Sequence, residues 1–85
     1  MSEPHLTSPN QLMDAAKKYM LGGREPQSKL DWVMIVNFWA SNILPEVNAP
    51  ICLILKLMYN CPLEDEMIEK ICQFQNREKD NVINN

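Results

Sequence analysis

Apolar residues in this chain gather into four clusters set apart by glycine, proline and asparagine. In the first, Leu12, Ala15, Ala16, Tyr19 and Met20 recur at helical spacing with Asp14, Lys17 and Lys18 opposite, the pattern of a helix with one apolar face. Ser8-Pro9-Asn10-Gln11 supplies its start, with Ser8 as N-cap, Pro9 at the first helical position and Gln11 at the third. Gly22-Gly23 supplies its stop. Residues 1–7 are expected to form a flexible lead, and the stretch from Gly22 to Gln27, GGREPQ, a flexible joint.

A second start follows in Ser28-Lys29-Leu30-Asp31, the S-x-x-D form of a capping box. From Lys29 to Leu44, Trp32, Val36, Trp39, Ala40 and Ile43 fall on one helical face, and Asp31, Asn37, Ser41 and Asn42 on the other. Leu30, Met34 and Phe38, spaced i, i+4, i+8, make a second apolar stripe inside that polar face. Pro45 is expected to end the helix, because the residue before a proline is driven out of the helical region. Ile51 to Tyr59 carries Lys56 as its only charge and reads as a helix capped by Asn48, with Pro50 in its first turn. A strand is the rival reading, but Leu, Met, Lys and Cys outnumber the β-branched residues and no partner strand is evident. The last helix is predicted over Pro62–Asn76, with Glu64, Asp65 and Glu66 in its first turn and Leu63, Met67, Ile68, Ile71, Cys72 and Phe74 along one side.

These elements predict an all-α fold, a compact four-helix bundle with short connections and a fifth helix as the alternative count. A single domain spans residues 8–77, between the lead and a frayed tail at 78–85. The outer helices each offer one apolar face. The second helix has two and the third is apolar almost all round, so the inner pair carries more apolar surface than the outer pair covers.

Composition narrows the function classes. The chain is 46% hydrophobic and 22% charged, which is globular rather than disordered. A net charge of −3 opposes phosphate backbones, so nucleic acid is not an expected partner. The cations Lys17, Lys18, Arg24 and Lys29 cluster toward the front and acidic residues toward the back. Cys52, Cys61 and Cys72 form no C-x-x-C pair and read as reduced thiols acting as small hydrophobes. The polar N-terminus shows no signal-peptide pattern, and the run from Leu30 is about 15 residues, short of the roughly 20 that span a bilayer. The expected compartment is therefore cytoplasmic or nuclear.

Candidate chemistry is sparse. His5, the one histidine, has no cysteine or carboxylate at ligand spacing, so no metal and no cofactor are expected. Glu64-Asp65-Glu66 point about 100° apart on a helix and cannot converge on one substrate atom. No Ser/His/Asp or Cys/His order and no phosphate-binding glycine loop occurs, which argues against an enzyme. What the chain shares with small helical recruitment modules of the death-fold and sterile-alpha-motif kind is size and helical character, with no motif residue in common. The expected function is a non-enzymatic protein–protein interaction module, either self-associating or an obligate partner subunit. Leu30, Met34 and Phe38, with one of Trp32 or Trp39, are the expected partner-binding residues. Both tryptophans also fit the main core, and the Leu30 stripe equally fits packing on the first helix. A membrane-surface role is the alternative, with the apolar run of residues 30–59 inserting and the front lysines touching headgroups.

Overall fold

Four α-helices build the described residues, 8–43 and 47–84, of a computed structural model. They are α1 (Pro9–Leu21), α2 (Lys29–Ser41), α3 (Asn48–Tyr59) and α4 (Asp65–Asn84). The all-α class and the count of four match the sequence reading, and neither a strand nor a fifth helix occurs among the described residues. The lead at 1–7 and the Pro45 stop lie outside them.

The first two helices begin where their caps place them. Ser8 Oγ accepts the Gln11 N–H at 3.2 Å, and Ser28 Oγ accepts the Asp31 N–H at 3.2 Å, each satisfying one of the amides that a helix start leaves open. α1 ends on Gly22 in the left-handed region at φ 66°, with the Gly23 N–H donating to Lys17 O at 2.8 Å. The joint after it is tied down at its charged residues. Arg24 grips Asp31 with two hydrogen bonds of 2.8 and 3.0 Å, the Gln27 N–H donates to the same carboxylate, and Lys17 pairs with Glu25. Asp31, assigned to the polar face by its spacing, is accordingly buried against that joint.

α2 stops at Ser41, short of the expected Leu44. Ser41 Oγ and Asn42 Nδ2 both donate to Phe38 O, while the Asn42 N–H bonds Trp39 O. The two side chains thus take one carbonyl that a continuing helix would need, and the backbone N–H takes the next in a tighter turn. α3 starts at Asn48 itself, behind an N-cap, Val47, that makes no side-chain hydrogen bond. The expected cap is thus corrected: Asn48 turns inward, fully buried, and donates from Nδ2 to Asn76 Oδ1 at 2.8 Å. α4 runs to Asn84 rather than ending at Asn76, with no glycine or proline in the way.

α2 packs against all three other helices, and α3 also packs on α4. The core takes Met13 and Ala16 from α1, Trp32, Ile35, Val36, Trp39 and Ala40 from α2, Cys52 and Leu55 from α3, and Ile68 and Cys72 from α4. Leu63 adds to it from the last connector. Each large side chain removed from water here contributes about 1.5–3 kcal/mol. α4 is held by two neighbouring amides: Gln75 donates to Asn37 of α2 at 3.1 Å, while Asn76 reaches Asn48 of α3. Among the described residues no helix is long and apolar enough to cross a membrane.

Candidate functional site

The partner-binding residues expected from sequence separate into two groups. Trp39 is fully buried and Trp32 is only 9% exposed, so both tryptophans belong to the core. Leu30 stands 67% exposed, and Met34 and Phe38 are half-buried. Leu30, Met34 and Ser41, at i, i+4 and i+11, share one side of α2 that carries no charge, and Asn37 beside them turns to Gln75 of α4. Phe38 sits on the flank of that side. There it stacks on Tyr19 of α1, with ring centroids 6.1 Å apart and planes 20° from parallel, so the alternative of packing on the first helix is realised in part. Tyr19 itself is 66% exposed, and the Lys18 ammonium stands 5.6 Å from its ring centroid. A stacked pair of this kind adds about 0.5–1.5 kcal/mol beyond area burial, so Tyr19 holds the Phe38 ring in place one turn of α2 from Met34.

Sequence reasoning placed Tyr19 on the buried side of its helix and did not see this platform. It also set Met67 and Phe74 among the buried residues of α4, yet both are exposed. The signal was present in the spacing. Ile68 and Cys72, one turn apart, go into the core, whereas Met67 and Phe74, two turns apart, lie about a third of a turn round the helix.

A second apolar surface lies on α3. Pro50, Leu53, Ile54, Leu57 and Met58 occupy its outward side, with Leu57 84% exposed. Lys56 turns to the edge of this surface and bonds Asp65 of α4 at 2.7 Å. Leu53, Lys56, Leu57 and Asp65 line an open groove of about 360 Å³.

Titratable groups have structural roles. The Arg24 guanidinium, followed by the Gln27 N–H, holds the Asp31 carboxyl at about 2. Burial pushes the Cys61 thiol up. Among the described residues no three His, Cys, Asp or Glu side chains lie close enough to hold a metal ion, and His5 is outside those residues. Two buried polar atoms, Trp39 Nε1 and Asn48 Oδ1, have no hydrogen-bond partner among the described residues. No family model matches the chain, and neither a curated protein nor a solved structure does.

Proposed function

We propose that this chain is a non-enzymatic protein–protein interaction module, self-associating or an obligate subunit of a larger assembly, working in the cytosol or nucleus. Its four helices act as a compact bundle that displays apolar helical surface to another protein. Leu30, Met34 and Phe38 make the contact with Tyr19, while Trp32 and Trp39 support that surface from beneath. The single observation that carries this reading is the exposure of Leu30, on a ridge of α2 without charge, and of Tyr19 on the neighbouring α1, where it stacks on Phe38. Large apolar side chains grouped in this way mark interaction sites when their rims are polar.

Double substitution of Leu30 and Met34 by Asp tests the proposal. Both side chains lie outside the buried core, so the variant is expected to keep its helical circular dichroism while losing association, read by sedimentation equilibrium and by capture on the immobilised chain. Unchanged association in a folded double variant would refute the role of this surface. Co-sedimentation with anionic vesicles, abolished by the same substitutions, would replace the proposal by the membrane-surface alternative.

A further inference from the structure

We propose that Cys52 and Cys72 form a redox latch, in which a small oxidant of the peroxide class joins the two thiols as a disulfide that fastens α3 to α4. The latch follows from the fold and goes beyond the interaction-module reading. Two contacts set the register of the helix pair. Asn48, at the start of α3, bonds Asn76, late in α4, at 2.8 Å, and Lys56, late in α3, bonds Asp65, the first residue of α4, at 2.7 Å. The two helices therefore run antiparallel. Cys52 lies four residues on from Asn48 and Cys72 four residues back from Asn76, so each thiol is one turn along the same side of its helix from the amide contact. That step brings both into one layer of the helix pair, between the two ties, and both are buried in the same core cluster.

Cys61 belongs to the other end of the pair. It follows α3 in the connector, where its N–H donates to Leu55 O at 3.2 Å. From Cys52 to Tyr59, and from Asp65 to Cys72, each helix rises about 10 Å, whereas a disulfide needs Cα atoms about 4.4–6.8 Å apart. Cys52 and Cys72 are thus closer to each other than either is to Cys61. Each side chain of the pair is only a Cβ and a sulfur, so the layer itself holds no bulk that would keep the backbones apart. The step balances with peroxide alone. Peroxide takes two electrons from one thiolate, giving a sulfenic acid and water; the second thiol attacks that sulfur, the S–S bond forms, and the sulfenic oxygen leaves as a second water. A dithiol reductant reverses the link by exchange. Burial keeps both sulfurs from the oxidant until the helix pair opens locally, so the latch closes slowly, under sustained oxidation. Once closed, it bridges a loop of roughly 20 residues and restricts the unfolded chain.

The test treats the full native chain with hydrogen peroxide, alkylates the remaining thiols in denaturant and digests with trypsin. Cleavage after Lys29, Lys56, Lys70 and Arg77 leaves Cys52, Cys61 and Cys72 in separate peptides, residues 30–56, 57–70 and 71–77. The expected product is a monomer with the first and third peptides joined and the second alkylated. Its Tm is expected to fall by at least about 5 °C when dithiothreitol is added. Dithiothreitol reopens a disulfide but leaves methionine sulfoxide, so that difference reads the latch alone. Cys61→Ala should keep both the link and the shift. The latch is overturned if Cys61 takes part in the link, if the link joins two chains, if dithiothreitol leaves Tm unchanged, or if Cys52 and Cys72 are recovered alkylated or over-oxidised rather than joined.

Discussion

Replacing Trp39 by phenylalanine sets two opposing terms against each other. Trp39 is fully buried, and its indole N–H finds no acceptor among the described residues. Phenylalanine buries roughly 40 Å² less than tryptophan, which at about 25 cal/mol per Å² costs about 1 kcal/mol. Removing an unsatisfied buried donor returns about 1–3 kcal/mol. The second term equals or exceeds the first, so Trp39→Phe is expected to lie between neutral and about 2 kcal/mol more stable than the wild type, whereas truncation of such a residue to alanine costs about 3–5 kcal/mol. Urea unfolding followed by circular dichroism measures both variants, and Trp32 remains as an independent fluorescence probe of the core. The slope with denaturant should be unchanged, which confines the effect to stability. Destabilisation of Trp39→Phe by more than about 2 kcal/mol would refute the reasoning, since it would mean that the indole N–H is satisfied or that the ring fills space phenylalanine cannot.

Asp31 sets a pH dependence. Its folded value of about 2 lies below the ordinary carboxylate value, so its contribution is fully present above about 4 and is lost as pH falls through about 2. Acid unfolding of Asp31→Asn should lack that segment of the pH profile, and an identical profile would show that Arg24 does not act on it. Gly22→Ala meets no steric contact but must adopt φ 66°, so it should cost about 1 kcal/mol, a fall of about 4–8 °C in Tm by scanning calorimetry. An unchanged Tm would mean that α1 can end elsewhere. Asn48→Ala leaves Asn76 without its buried partner and should cost about 1–3 kcal/mol in urea. Asn48 and Asn76 together replaced by leucine should cost less than Asn48→Ala alone, and a greater loss would show that the pair does more than satisfy itself.

How much of this was legible depended on how far away the deciding partner lies. Ser8 and Ser28 were read as caps because their acceptor role is complete within three residues. Asn48 was misread because local pattern makes asparagine before Ala49-Pro50 a cap, whereas its actual partner, Asn76, is on another helix. Asp31 fell on the polar side of the wheel, and only the fold of the joint behind it buries it. The exposed stripe was visible at Leu30, but Tyr19 joins it only through the stack across helices. For Leu57, an apolar run without polar interruption gave no clue to which side the other helices would cover.

Gln75 and Asn76 are consecutive on α4, so their side chains leave it about 100° apart, one gripping α2 and the other α3. Rotation of α4 about its axis breaks one bond before the other, and sliding by a residue breaks both. The pair therefore acts as a bearing that fixes the helix in azimuth and in height at the point where it passes the last described core contact. From Arg77 to Asn84 the helix continues beyond that bearing. The direction in which the end of the helix runs is therefore set by two amides, and a change at either one re-aims it.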